Sequence, residues 1–215
     1  MRFIDPTGMS VETEIFNQKG KKVGEDSNGK DGNISIVTND IGKKIKKGEI
    51  KADAAIATGI NTSYNELAET ESVLKRTEKN GGNLEEVSVV QSDGVVIVGV
   101  TGAEKTSDGS SRVDVPPSIG TNNTLIHSHP INASFDGTHI LSDSALQPGH
   151  ADPGVFKGYK SNIIVGRLGS ATGSINSDGT ANITQPGLGA AFYDRNSNFI
   201  GSVTRSAIKK IISKK

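Results

Sequence analysis

The sequence of 215 residues predicts an α+β fold in which a mixed β-sheet is flanked by helices. Two β-branched runs, 85–92 and 95–100, are joined by an Asp-Gly dipeptide, which favours a β-hairpin. A capping-box pattern at 63–66 precedes an apolar stripe and predicts a helix over roughly 64–80. Isoleucines spaced for one helix face near the end of the chain predict a C-terminal helix.

Shorter patterns supply the other elements. The further predicted strands and hairpins are 34–38, 161–166, 174–184 and 190–202. Residues 101–123 are rich in turn-forming residues and 131–151 lack periodicity, so both are predicted to be loops. Loops as long as the second are commonly functional. The lysine-rich run 43–51 indicates a solvated helix face, with a basic patch for an acidic partner as the alternative.

The first 33 residues look like a connector, so the predicted organisation is a segment 1–33 followed by one domain over 34–215. Asp5-Pro6-Thr7-Gly8 is a compact turn-forming segment. The polar run 17–33, rich in Gly, Lys and Asp, is predicted to bury little surface.

The composition excludes several classes of protein. Lys+Arg and Asp+Glu both number 24, which argues against a nucleic-acid binder that works through a large basic field. The absence of cysteine excludes a disulfide framework and every zinc site with a thiolate ligand. No apolar run approaches the roughly 18–20 residues needed to cross a bilayer, and no signal segment opens the chain.

The most informative stretch is 124–130, where an apolar run leads into His127-Ser128-His129-Pro130. In an extended strand both imidazoles project from one face, and two such groups can form two corners of a tetrahedral zinc site. The alternative is a histidine pair on a solvated strand face. A third ligand would come from the carboxylates and histidines that follow, which are Asp136, Asp143, Asp152, His139 and His150.

A hydrolytic zinc site also needs a carboxylate that acts as a general base without binding the metal. Glu85 and Glu86 begin a strand that could lie beside the histidine strand. Since neighbouring residues of a strand face opposite sides, periodicity does not choose between the two.

These residues resemble the JAB/JAMM metalloprotease family. The match covers the apolar-apolar-His-x-His-Pro strand at 125–130, the Pro-x-x-x-Asp segment at 148–152 and the Glu-x-small-x start at 86–89. More narrowly, residues 30–215 are similar to the JAB-like toxin domain of Rhs/YD-repeat polymorphic toxins. The Asp-Pro-Thr-Gly segment resembles the end of an Rhs core and agrees with this independently.

The resemblance implies a JAB/JAMM-like (cytidine-deaminase-like) fold and a zinc-dependent peptidase or isopeptidase. It assigns His127, His129 and Asp152 as Zn²⁺ ligands and Glu86 as the general acid/base that accepts a proton from water and returns it to the leaving amine. It also implies a secreted bacterial effector, delivered into a target cell as the C-terminal module of a larger toxin. The expected partners are a cognate immunity protein, a protein substrate and the parent Rhs shell, with no membrane or nucleic acid.

Two departures from the family pattern leave alternatives open. The family serine that helps to stabilise the oxyanion falls on Gly149, so a backbone N–H, a serine such as Ser128 or a loop group would replace it. The 22 residues between His129 and Asp152 exceed the family spacing, which we interpret as an insertion over 131–147, with Asp143 as the alternative ligand. The alternative functions are a catalytically degenerate binding module and a metal-dependent nuclease toxin.

Overall fold

A computed structural model describes residues 12–26, 32–103, 113–116 and 121–215. The chain divides into two compact units, one formed by the described residues up to Leu67 with Ser206–Lys215, the other by Ala68–Arg205. The Asp-Pro-Thr-Gly segment at 5–8 lies outside the described residues. Within the described ranges no helix has the length and apolar character needed to span a bilayer.

A four-stranded sheet forms the first unit. Its elements are β1 (Thr13–Asn17), β2 (Lys22–Asp26), β3 (Asn33–Val37), α1 (Asn39–Lys46), α2 (Ala52–Ile56), β4 (Ile60–Ser63), the start of α3 (Tyr64–Lys79), and α5 (Arg205–Ile212) after its first residue. The strand order is β2-β1-β3-β4, in which β1 and β3 are parallel and the other pairs antiparallel. Ile15, Val23, Val37 and Ala55 form its apolar core.

The structure corrects the predicted connector over 1–33. Thr13–Asn17 and Lys22–Asp26 are paired strands rather than a linker, and Ile15 and Phe16 are fully buried. The polar run turns back at Gly20, which has a positive φ of 72°, and this reversal brings Val23 into the core. One apolar side chain on a polar strand is too weak a signal to predict burial when the neighbouring strands supply the rest of the core.

The second unit carries the histidine strand. Its elements after α3 are β5 (Val87–Val90), β6 (Val96–Val98), β7 (Thr124–Ser128), β8 (Ser134–Phe135), β9 (Ile140–Leu141), α4 (Asp152–Phe156), β10 (Ser161–Arg167), β11 (Thr172–Ile175), β12 (Ala181–Thr184), β13 (Leu188–Asp194) and β14 (Phe199–Thr204). Six of these strands form a sheet in the order β14-β13-β10-β7-β5-β6. Only the central pair β7 and β10 is parallel, so the sheet is mixed.

The α+β class, the mixed sheet and the C-terminal helix are confirmed. The described residues contain five helices, and α3 spans nearly the residues predicted for it. Its capping box is present, because Ser63 Oγ accepts from the Glu66 N–H at 3.2 Å and Glu66 Oε2 accepts from the Ser63 N–H at 2.7 Å. The hairpin of β5 and β6 turns at Gly94, which has a φ of 87°. The lysines of α1 are exposed, as the prediction of a solvated face requires.

Candidate metal centre

The histidine pair lies where the central strand β7 ends. His127 is paired with Val87 of β5 on one side and with Ile164 of β10 on the other. The His129 N–H donates to the Val165 carbonyl at 2.9 Å, so the ladder with β10 continues one residue beyond β7. Both imidazoles project from the same face of the sheet, as the alternation predicts, with ring centroids 5.4 Å apart.

Asp152 completes a three-residue group on this face. Its Oδ2 lies 3.4 Å from His127 Nε2 and 3.5 Å from His129 Nε2. One donor atom from each residue lies within 4.8 Å of the other two. Asp152 is the first residue of the short helix α4, and the Gly149 N–H donates to its Oδ2 at 2.6 Å. The structure therefore brings together the three residues that the resemblance assigns as ligands.

The other predicted ligand candidates do not join this group. Asp136 accepts the N–H groups of Thr138 and His139 in an exposed turn, where its carboxylate also faces the His139 ring at 3.8 Å. His150 is exposed. Asp143 is half-buried and lies outside the group, so the geometry favours Asp152 over Asp143.

Burial and charge shift the pKa values of the group in opposite directions. Burial by itself lowers the pKa of His129, but the hydrogen bond and the negative charge of Asp152 outweigh it and raise that pKa overall. Burial by itself raises the pKa of Asp152, but the two histidines outweigh it and hold that pKa well below its ordinary value. The Asp152 side chain is therefore a carboxylate at neutral pH.

The arrangement of nitrogen atoms fits a metal ion. His129 Nδ1 lies 3.1 Å from the Ser144 carbonyl oxygen. A carbonyl only accepts, so Nδ1 carries a proton, and in the neutral imidazole Nε2 keeps its lone pair on the side of Asp152. His127 Nε2 is buried and has no hydrogen-bond partner among the described residues. Two imidazole nitrogens and a carboxylate oxygen are a donor set that binds zinc and related divalent ions, so this buried group could hold a metal ion.

Glu86, the predicted general acid/base, contacts other residues in the structure. Glu86 Oε1 accepts from Asn80 Nδ2 at 2.8 Å and from Thr101 Oγ1 at 2.9 Å. Its Oε2 faces Arg76 Nε at 3.5 Å. Arg76 and Asn80 belong to α3 and the residue just after it, so the Glu86 side chain lies on the face of the sheet opposite to the histidine pair.

Glu85, the alternative in the sequence, is the carboxylate on the side of the histidines. It precedes Glu86 in extended chain, so its side chain points to the opposite face from that of Glu86. Its negative charge contributes to the raised pKa of His129. Glu85 is half-buried, whereas Glu86 is only 3 % exposed. Periodicity could not distinguish Glu85 from Glu86, because the two residues are adjacent at the start of β5 and either could be the one that faces the histidines.

Ser128, suggested as a replacement for the family serine, is already engaged, and so is the backbone N–H at position 149. The Gly149 N–H is bonded to Asp152. Ser128 is fully buried on the α3 face, where its Oγ accepts from the Glu86 N–H at 2.8 Å and lies 2.7 Å from Thr77 Oγ1. A side chain at position 149 would fit, since a Cβ built on Gly149 meets the Asp152 carboxylate only at 3.4 Å.

Sequence reasoning missed the groups that support the ligands. The Ser144 carbonyl is a backbone group and leaves no signal in the sequence. Tyr193 donates its hydroxyl to the neighbouring Ala145 carbonyl at 2.9 Å. The sequence shows Tyr193 only as an aromatic residue at an inward-facing strand position. Most such residues simply pack in the hydrophobic core.

No protein-family model matches this chain, and no curated protein or solved structure matches it.

We expect the purified chain to bind one divalent metal ion per molecule, measured by elemental analysis after dialysis against Zn²⁺. The double substitution His127→Ala/His129→Ala removes two of three donors and should abolish binding. The matched control is His139→Ala/His150→Ala, which removes two exposed histidines outside the group and should bind as the wild type does. Equal metal content in the two double variants would contradict the site.

We expect Glu86→Ala to lower the free energy of unfolding by about 3 kcal/mol, because it removes the acceptor of the Asn80 and Thr101 side chains. It also removes one of the two carboxylates that face Arg76, the other being Glu69. Urea unfolding measures the loss, and metal content per folded chain should stay unchanged. Glu85→Ala is the matched control and should cost less than about 1 kcal/mol. A stable Glu86→Ala variant that has lost its metal would restore Glu86 to the metal centre.

Proposed function

We propose that this chain is a zinc-dependent peptidase or isopeptidase that serves as the effector module of a secreted Rhs-type toxin. The observation that carries the proposal is the buried group of His127, His129 and Asp152, presented by a strand, a loop and a short helix in the order of the JAB/JAMM pattern. When bound there, zinc would supply a Lewis acid that activates water near neutral pH and polarises the amide carbonyl.

The residues of the chain have distinct roles in this proposal. His127, His129 and Asp152 hold the ion, and the Ser144 carbonyl fixes the tautomer of His129. Glu85 takes the role of general base, accepting the proton of the attacking water and returning it to the leaving amine. Its half-buried position and its electrostatic effect on His129 support this assignment over Glu86.

The wider context of the module is proposed from the sequence resemblance. The Asp-Pro-Thr-Gly segment at 5–8 supports attachment to an Rhs shell and delivery into a target cell. A toxic hydrolase of this kind needs a cognate immunity protein in the producing cell, and its substrate would be a protein. The balanced charge of the chain supports a protein rather than a nucleic acid as the substrate.

The test is amide hydrolysis in a cell lysate whose primary amines have been chemically blocked. Hydrolysis of a peptide bond frees a new α-amine, and hydrolysis of an isopeptide bond frees a lysine ε-amine, so tagging new amines and mapping them by mass spectrometry detects both. We expect the zinc-loaded wild type to generate new amines and Glu85→Gln to generate at least about 100-fold fewer, because the proton transfer is lost. Metal content should be equal in the two proteins.

Glu86→Gln is the matched control and should retain most of the wild-type hydrolysis, measured under conditions in which it is folded. Loss of activity in Glu86→Gln with full activity in Glu85→Gln would reverse the assignment. If no new amines appear but chelator-sensitive cleavage of plasmid DNA or RNA does, the chain is a nuclease. If neither appears and metal is bound, it is a binding module, which the engagement of Gly149 and Ser128 would then explain.

We expect Gly149→Ser to keep the metal and to raise the rate of amide hydrolysis several-fold, since it supplies the hydroxyl that the family pattern places there. The close but ordinary distance to Asp152 predicts that the serine is accommodated. Gly149→Ala is the matched control for the added Cβ. A rate that is equal in the serine and alanine variants would show that an oxyanion donor is not limiting.

A further inference from the structure

We propose that Tyr193 is a positioning residue for the metal centre, acting on His129 through two consecutive carbonyl groups. This inference rests on the metal site of the proposed function and does not depend on the proposed amide hydrolysis. Tyr193 lies on β13, two strands away from the histidine strand, and touches none of the three ligands through its hydroxyl. Its role follows from the backbone carbonyl that this hydroxyl binds.

The path from Tyr193 to the imidazole has two hydrogen bonds. The Tyr193 hydroxyl donates to the Ala145 carbonyl at 2.9 Å, and the preceding carbonyl, that of Ser144, accepts from His129 Nδ1 at 3.1 Å. Both tyrosine and segment are buried, with Tyr193 only 1 % exposed. Burial raises the pKa of Tyr193 to about 12, so the hydroxyl remains a donor over the physiological range.

The carbonyl groups of Ser144 and Ala145 belong to a loop, so hydrogen bonds to neighbouring residues determine their orientation. The Ala145 N–H donates to the Arg167 carbonyl at 2.8 Å, which fixes the segment to β10. Ser144 Oγ accepts from the Leu146 N–H at 3.1 Å and lies 3.5 Å from the Arg167 carbonyl oxygen, and the Ser144 carbonyl also accepts from the Gln147 N–H at 3.1 Å. Beside these bonds, the Tyr193 hydroxyl holds the Ala145 carbonyl.

The ring of Tyr193 also supports the other two ligands. Its centroid lies 5.8 Å from that of Phe156, and Phe156 lies 6.1 Å from the ring of His127. Phe156 closes the helix α4 that Asp152 opens. Replacing the tyrosine by phenylalanine keeps these ring contacts, so that substitution isolates the contribution of the hydroxyl bond to His129.

The test is metal affinity of the full chain, measured by competition for Zn²⁺ with a chromophoric chelator. We expect Tyr193→Phe to bind Zn²⁺ about tenfold more weakly than the wild type, the effect typical of lost support for a ligand histidine. The visible spectrum of the Co²⁺-loaded protein should shift in the variant, because the orientation of one imidazole changes. A role in stability alone would leave both the affinity of the folded chain and the spectrum unchanged.

The matched control is Tyr159→Phe. Tyr159 belongs to the same core cluster, and its hydroxyl makes no hydrogen bond with any residue that the structure describes. This variant should match the wild type in affinity and spectrum. If Tyr193→Phe does not fold, Ala145→Gly replaces it, since it loosens the same segment and keeps the tyrosine.

The outcomes separate the two proposals. A wild type that binds Zn²⁺ while Tyr193→Phe, or its substitute, binds equally well with the same Co²⁺ spectrum overturns the role of Tyr193 and leaves the metal centre standing. A wild type that binds neither ion overturns both. Weaker binding in Tyr159→Phe equal to that in Tyr193→Phe would also overturn the role, because the effect would then belong to the core as a whole.

Discussion

The register of β7 between β5 and β10 is the constraint on which the rest of the site depends. All five residues of β7 are buried, so side chains pack against both faces of the strand. His127 is opposite Val87 on one neighbour and Ile164 on the other. A slip of one residue would turn the imidazoles toward α3 and Ser128 toward Asp152, and the ligand group would not exist. Two ladders of opposite type fix the register together.

The face of the sheet opposite to the ligands carries a buried polar network that reinforces this register. Arg76 donates to Glu69 at 3.0 Å and to Ser88 at 2.7 Å, and its Nε faces Glu86. Ser128, between the two histidines, is bonded to Glu86 and Thr77. Desolvation offsets much of the attraction within such a network, but removal of one member leaves its buried partners unpaired. Glu86, which the sequence resemblance assigns as general acid/base, is a member of this network.

The sequence predicted elements wherever a local pattern determines them. The capping box of α3, the Asp-Gly turn after β5 and the inward-facing histidine pair depend on residues near one another in the chain. The strands β1 and β2 were missed because their burial depends on β3, which lies beyond the turn. To tell whether Glu85 or Glu86 faces the histidines, one must know which face of the sheet α3 covers. The alternation of side chains along β5 fits either residue, so only the packing of α3 decides between them.

The same distinction applies to the support of the ligands. Asp152 could be predicted because its carboxylate belongs to a side chain and the Pro-x-x-x-Asp motif at 148–152 marks its position in the sequence. Every residue has a backbone carbonyl, so the sequence does not single out that of Ser144, which the path of the loop after β7 places beside His129. The loop over 131–147 is long, yet Ser144, near its end, returns to the histidine pair. The length of a loop therefore says little about how firmly its ends are held.

Three potential donor atoms for a cation converge between β7 and α4. His127 Nε2 and His129 Nε2 lie 3.4 and 3.5 Å from Asp152 Oδ2. Protonation of one imidazole satisfies one of these contacts and leaves the other lone pair facing the carboxylate. A divalent ion would contact all three donor atoms at once, so this buried group could hold a metal ion. Metal binding alone does not make an enzyme. In the proposed hydrolase, the Gly149 N–H and the Ser128 hydroxyl are already bonded, so the proton transfer would fall to the carboxylate of Glu85.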